Sequence, residues 1–159
     1  MPIKSFLPVV DKNSKILILG SIPSVKSLQM QEYYAHPRNA FWFIMSQLFG
    51  FEQNLEYKKR LDMLLQNRVA LFDVIGSCKR EGSLDSAIKD IEHQDFESFF
   101  QKYPNIETVF CNGGKAYCEF LKIRKGDKKI YKLPSTSPAN ARMSRDKKLK
   151  EWEKIKLYV

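Results

Sequence analysis

Apolar and polar positions fall in blocks along this chain, and the blocks read alternately as strands and helices. Lys15-Ile16-Leu17-Ile18-Leu19-Gly20 is a continuous apolar run closed by glycine, which predicts a strand buried on both faces. A polar loop from Ser21 to Asn39 follows, with a short helical turn near Val25–Gln29. Phe41 to Phe49 reads as a helix stopped by Gly50. Tyr57 to Gln66 reads as a second helix, with Leu61, Leu64 and Leu65 on one face. Val69 to Gly76 is a second buried strand, and its tail, Ser77 to Ser86, is polar and loop-like. Asp95 is placed to cap a helix whose Phe96, Phe99 and Phe100 recur at helical spacing, ended by Pro104-Asn105. Thr108 to Asn112 is a third strand, closed by Gly113-Gly114, and Gly114 to Leu121 continues as a helix. A basic turn, Arg124 to Lys129, leads to a strand over Ile130–Leu133 and the loop Pro134–Ala141. The chain closes on a basic helix with Leu149, Trp152 and Ile155 on its apolar side.

Strands alternating with helices predict an α/β fold: one three-layer domain over residues 1–159, with a short, mainly parallel four-stranded sheet flanked by helices. In such sheets the ligand crevice lies beyond the carboxyl ends of the strands. Four segments therefore converge there: Gly20–Ser24 with its extension to Asn39, Asp73–Ser77, Asn112–Gly114, and Ser135–Ala141. No apolar run approaches the length of a membrane span, and Met1-Pro2-Ile3-Lys4-Ser5 does not open a secretory signal. Cytoplasm is the default compartment. The three cysteines, Cys78, Cys111 and Cys118, lack regular spacing and suggest neither a disulfide framework nor a four-cysteine metal site.

Charge changes the picture. Residues 1–114 carry 13 Lys/Arg against 13 Asp/Glu, whereas residues 115–159 carry 14 against 5, so the last third holds the entire net charge of +9. A neutral body with a basic end suggests a surface that faces a polyanion, although a solvated basic helix has the same composition. The usual catalytic equipment is missing. The two histidines, His36 and His93, form no metal-binding pair, and His93 reads as a surface residue. No phosphate-binding glycine loop, dinucleotide fingerprint or nucleophile elbow occurs. What remains at the strand ends is Asn39, Asp73, Asn112, Ser137 and Asn140, with Tyr33, Tyr34, His36 and Phe41 nearby. Amides and hydroxyls read nucleobase edges, and aromatic rings supply stacking faces. Each has a plainer reading as well: Asp73 as a strand-end brace, Asn112 as a turn residue, Phe41 and Trp42 as core, and Asn140 as a helix cap.

Three motifs in this order, Gly20-Ser21-Ile22-Pro23-Ser24, His36-Pro37-Arg38-Asn39-Ala40-Phe41-Trp42 and Ser135-Thr136-Ser137-Pro138-Ala139-Asn140-Ala141, resemble the uracil-DNA glycosylase superfamily. The resemblance runs from about Ile16 to Trp152 and is greatest to its hypoxanthine-DNA (deoxyinosine) glycosylase branch. The mismatch-specific branch has a catalytic Asn where this chain has Ile22. The uracil-specific branch has an acid in that motif and a His in the last, where this chain has Thr136-Ser137-Pro138. In the deoxyinosine branch the catalytic amide is the Asn before Phe-Trp, which is Asn39 here.

The resemblance implies a monofunctional DNA glycosylase that flips a deaminated base out of DNA and hydrolyses its N-glycosidic bond. The base would be hypoxanthine, or alternatively uracil or xanthine. Asn39 would position the attacking water. Gly20, Ser21, Ile22, Pro23, Ser24, Phe41, Asp73 and Asn112 would hold the base, with Phe41 as the stacking platform and Trp42 as core. Ser137, Pro138, Ala139, Asn140, Ala141, Arg142, Met143 and Arg145 would meet the DNA, with Ala141, Arg142 or Met143 filling the vacated space. The expected partner is single- or double-stranded DNA and the expected state a monomer. No metal, organic cofactor or membrane is expected. Two rivals stay open: a non-catalytic nucleic-acid-binding relative, for which Ile22 is the best support, and a hydrolase of free deaminated nucleosides.

Overall fold

The computed structural model of the chain describes residues 2–124 and 126–159. Lys125, in the expected basic turn Arg124–Lys129, lies outside the described residues, as does Met1. The four predicted strands form one all-parallel sheet: β2 (Ile16–Gly20), β3 (Val69–Asp73), β6 (Thr108–Asn112) and β7 (Lys129–Leu133), in the order β3-β2-β6-β7. Every residue of β2 and β3 is buried, as the uninterrupted apolar runs require of a sheet covered on both faces. Ile16 and Ile18 point into one core, with Phe41, Trp42, Ile44, Met45, Leu64 and Trp152. Leu17 and Leu19 point into the other, with Phe96, Phe99, Ala116 and Phe120.

The helices divide accordingly. α2 (Phe41–Phe49), α3 (Tyr57–Gln66) and α6 (Arg145–Trp152) supply the first core, and α4 (Phe96–Lys102) and α5 (Gly114–Ile123) the second. The chain thus leaves β2 toward one face and β6 toward the other. That divergence opens a crevice above the carboxyl ends of these adjacent strands. Local signals set the helix ends: Ser24 caps α1 (Val25–Met30), Asp95 caps α4, Ser144 caps α6, and Gly50 ends α2 at φ 72°.

One region departs from the expectation. Val69–Gly76 is not a single strand, and Ser77–Ser86 is not all loop. The parallel strand stops at Asp73, the chain bends at Val74, and β4 (Ile75–Lys79) enters a separate antiparallel sheet, between β1 (Ile3–Lys4) and β5 (Lys89–His93). β5 reads Lys-Asp-Ile-Glu-His and carries one apolar residue, so alternation could not reveal it; backbone pairing with β4 makes it a strand. Its last residue, His93, was expected on the surface. Instead its Nε2 meets buried Glu119 Oε1 at 2.9 Å, joining this small sheet to α5. Burial opposes ionisation of Glu119, but hydrogen bonds from Lys122 and His93 and the charge of Lys115 outweigh it and hold the carboxyl at about 2.

Candidate active site

A cleft of about 360 Å³ opens at the carboxyl ends of β2, β3 and β6. Strand register builds its floor. Gly20 pairs with Asp73 across β2 and β3, and Leu19 pairs with Cys111 across β2 and β6, one residue before Asn112. A Cβ on Gly20 would lie 2.6 Å from Asp73 Oδ1 and 3.0 Å from the Tyr34 hydroxyl, so the missing side chain is what lets both groups enter the cleft.

Asp73 is 3% exposed, and its Oδ2 has no hydrogen-bond partner among the described residues. Burial pushes its carboxyl up to about 7, against the opposing charge of Arg80. Tyr34, held at φ 56°, stacks on Phe41 with ring centroids 4.0 Å apart and 22° between planes. Burial, and Asp73 after it, pushes the Tyr34 phenol far up, so it stays protonated; its hydroxyl is buried beside Asn112 without a well-formed hydrogen bond. Phe41 itself is fully buried and does not line the cleft. Of the stacked pair, Tyr34 lines the cleft, and Phe41, the expected stacking platform, lies behind it in the core. The reason is helical geometry, because the first residue of α2 points down onto Trp42 and Trp152. Trp42 is core, as expected, and its indole N–H donates to the Tyr33 carbonyl at 2.9 Å.

Asn39 also lines the cleft. Its Oδ1 accepts the Phe41 N–H at 2.9 Å, which fixes the amide and leaves the second lone pair of that oxygen free. The neighbouring Ala40 N–H donates to the Thr136 carbonyl at 2.9 Å. Thr136, fully buried, is clamped in turn by Asn112: Nδ2 donates to Thr136 Oγ1 at 2.9 Å, and the Thr136 N–H donates to Oδ1 at 3.0 Å. Asn112 is therefore engaged by both ends of its amide in holding the Ser135–Asn140 loop against the start of α2.

The remaining expected residues divide. Ser21, Ile22, Pro23 and Ser24 line the cleft. Ser21 Oγ donates to Asp85 Oδ1 at 3.2 Å, Ser24 Oγ is committed to capping α1, and Ile22 packs with Ile75, Cys78 and Ile88 of the small sheet. From the last loop, Ser137, Ala139 and Asn140 reach the cleft, whereas Pro138, Ala141, Arg142, Met143 and Arg145 lie outside its lining. Ala141 and Arg142 are exposed, and the Arg145 guanidinium sits 3.8 Å over the Phe43 ring. Lys148, on the basic helix, is buried, and its Nζ donates to the Ser137 carbonyl at 3.3 Å, so one of the C-terminal cations braces the loop.

Sequence reasoning missed the segment after β4. Arg80 Nη2 donates to the Pro23 carbonyl at 2.7 Å and Nε to the Gly82 carbonyl at 2.6 Å. Ser83 Oγ accepts the Val25 N–H at 2.9 Å, and Leu84, 62% exposed, stands at the rim. Nothing local in the sequence points Ser83 and Leu84 at the cleft; the unrecognised strand β4 carries them there. Among the described residues, no three His, Cys, Asp or Glu side chains gather where they could hold a metal.

A parallel α/β sheet with a polar cleft at its switch point, walled by an amide, a buried acid and a stacked tyrosine, defines a domain built to enclose a flat polar ligand. Comparison with known proteins makes this specific. The family model of the uracil DNA glycosylase superfamily matches residues 7–157. A hypoxanthine DNA glycosylase of Methanosarcina acetivorans is 39% identical over 155 residues, covering 96% of each chain. One of Methanosarcina barkeri is 38% identical over 148 residues, covering 91% of this chain and 92% of that one. The solution NMR structure of a candidate uracil DNA glycosylase from Methanosarcina acetivorans superposes with a TM-score of 0.87 at 38% identity, over 98% of this chain and 97% of that one. The chain belongs to the uracil DNA glycosylase superfamily.

Proposed function

We propose that this protein is a monofunctional DNA glycosylase that excises hypoxanthine from deoxyinosine in DNA. Two relatives bearing that activity in their names match nearly the full chain, and the cleft contains the groups the chemistry needs. The observation that carries the reading is the Asn39 amide, pinned by the Phe41 N–H in the same cleft that Asp73 lines.

A base stacked in a duplex shields its own sugar, so the nucleotide turns out into the cleft at a cost of a few kcal/mol, least at a weakened pair. Lys and Arg of the C-terminal third neutralise backbone phosphates, with Arg142 and Arg145 nearest the loop that meets the DNA. The flipped purine lies against Tyr34, whose ring is backed by Phe41. The free lone pair of Asn39 Oδ1 accepts a hydrogen bond from a water and aims its oxygen at C1′. An amide is a weak base, so the rate gain comes mainly from orientation and from stabilising charge as the bond breaks. Among the described residues no lysine side chain lines the cleft to form a Schiff base, which favours direct hydrolysis. The protein is taken to act as a monomer in the cytoplasm, where it meets DNA.

The test is single-turnover excision from an oligonucleotide carrying one deoxyinosine, with abasic sites revealed by alkaline cleavage. Asn39→Ala should lose at least about 100-fold in the chemical step, as expected for loss of a positioned catalytic group, while binding to the same DNA persists. Wild-type-like excision by this variant would remove Asn39 from the mechanism. Excision of free deoxyinosine as fast as deoxyinosine in DNA would favour a nucleoside hydrolase.

A further inference from the structure

A purine is a poor leaving group unless its imidazole ring takes up a proton as the C1′–N9 bond lengthens. The cleft therefore needs a proton donor, and the groups on its walls narrow the choice. Asp85 is exposed and accepts from Ser21 Oγ. The Tyr34 hydroxyl is buried and desolvation pushes the phenol far up, so its proton is held too tightly to transfer. Asp73 is more than nine-tenths buried and lines the cleft, and its Oδ2 has no hydrogen-bond partner among the described residues. Unpartnered buried polar atoms are rare in folded proteins and call for an explanation, of which a ligand is one. Gly20 supplies a second observation: a side chain there would strike Asp73 Oδ1, so the end of β2 is left bare where the carboxyl stands.

We propose that Asp73 is the general acid of the reaction, donating its carboxyl proton to N7 of the flipped purine as the glycosidic bond breaks. The proposal rests on reading this cleft as a glycosylase site. The electron pair of the C1′–N9 bond stays with the base, which leaves as neutral hypoxanthine protonated at N7, and Asp73 is left as a carboxylate. The oxygen of the water held by Asn39 bonds to C1′ and releases a proton to solvent. Asp73 regains a proton from solvent after the base departs. Net consumption is one water.

Several titratable groups face Asp73: Tyr33 and Tyr34 from the loop after α1, Tyr57 from α3, and Arg80 after β4. Burial pushes all three phenols up, so they carry no charge near neutrality. Arg80 is cationic throughout and pulls Asp73 down, yet desolvation dominates and the carboxyl sits at about 7. That places it where it holds a proton and can still release it. A pyrimidine such as uracil has no imidazole nitrogen to receive this proton, so the acid favours purine lesions.

The experiment is a single-turnover pH profile on DNA containing deoxyinosine, for wild type and Asp73→Asn, with thermal unfolding to show that the variant folds. Asparagine keeps the shape but has no transferable proton. Wild-type rate should be flat at low pH and fall about tenfold per unit above pH 7, while Asp73→Asn should be pH-independent. The ratio of the two should be about 100-fold at pH 6 and close toward unity by pH 9. On 7-deaza-2′-deoxyinosine, which lacks the accepting nitrogen, the ratio should collapse to near one at every pH. A constant ratio across pH, or an unchanged ratio on the deaza substrate, overturns the assignment of Asp73 and leaves the glycosylase reading standing. No excision by wild type at any pH overturns both.

Discussion

Replacing Gly20 by alanine tests whether the bare end of β2 is what seats the acid and the ring. The new methyl would lie 2.6 Å from Asp73 Oδ1 and 3.0 Å from the Tyr34 hydroxyl. Ordinary contact begins at 3.4 Å, so the carboxyl must retreat by about 0.8 Å or the strand must shift. The strand is the harder of the two to move, because β2 is hydrogen-bonded to β3 on one edge and β6 on the other, and Ile16–Leu19 are fully buried. The carboxyl and hydroxyl therefore give way, toward the space a base would occupy. A misplacement of roughly 1 Å costs on the order of 100-fold in rate, so Gly20→Ala should slow excision by about 10- to 100-fold, or about 1.4–2.7 kcal/mol of transition-state stabilisation. Overpacking of this kind also costs about 1–3 kcal/mol of stability. The assay is single-turnover excision at saturating enzyme, which removes binding from the rate, accompanied by urea unfolding of both proteins. A Gly20→Ala protein that excises at the wild-type rate would show that neither Asp73 nor Tyr34 needs its observed position, and would refute the description of the cleft floor.

Three further outcomes follow from the geometry. Asp73 sits at about 7 in the folded protein against about 4 in an unfolded chain, so the folded state holds the extra proton between those values. Its contribution to stability is full below about pH 4 and is lost as pH rises through 7. Asp73→Asn should accordingly unfold at higher temperature than wild type at pH 8, with the difference vanishing near pH 4; a difference of the opposite sign in calorimetry would contradict its burial as an acid. Asn112→Ala strips two hydrogen bonds from fully buried Thr136, and each orphaned group costs about 1–3 kcal/mol, so the melting temperature should drop by several degrees and excision should fall with it. Asn112→Asp keeps an acceptor for the Thr136 N–H, and the Thr136 hydroxyl can turn to donate to it, so this variant should recover part of the loss. Reversing the charge of Arg142 and Arg145 together should flatten the dependence of log DNA affinity on log salt by about 2 if each meets one phosphate; an unchanged slope in a fluorescence titration would exclude that surface.

The core strands β2, β3 and β6 were legible because they are buried on both faces. A run such as Val69-Ala70-Leu71-Phe72 has no plausible solvent face, and the helix between two such runs follows from spacing and caps that are local in the chain. The small antiparallel sheet was not legible. Lys89–His93 is polar, with three of its five residues exposed, and is a strand only because β4 offers it hydrogen bonds. With β4 unrecognised, Ser83 and Leu84 could not be placed at the cleft. The position of Asn39 at the cleft was legible from its odd place before an aromatic pair, but which of Phe41 and Tyr34 faces the cleft was not. Both lie beside it in sequence, and only the direction of the first turn of α2 sends Phe41 into the core.

Legible in the chain alone were the α/β alternation, the four segments gathered at the strand ends, the asymmetric charge and the family whose motifs it carries, since all of these are written in local order and spacing. The state of Asp73 belonged to the tertiary structure. No local pattern tells whether a carboxylate at a strand end is solvated, paired or stranded. That depends on its register against Gly20, on the Tyr34 hydroxyl crowded against the same glycine, and on an arginine close enough to influence it yet too weak to offset its burial. Dielectric and hydrogen bonding are properties of what surrounds an atom, and here those surroundings come from parts of the chain far apart in sequence.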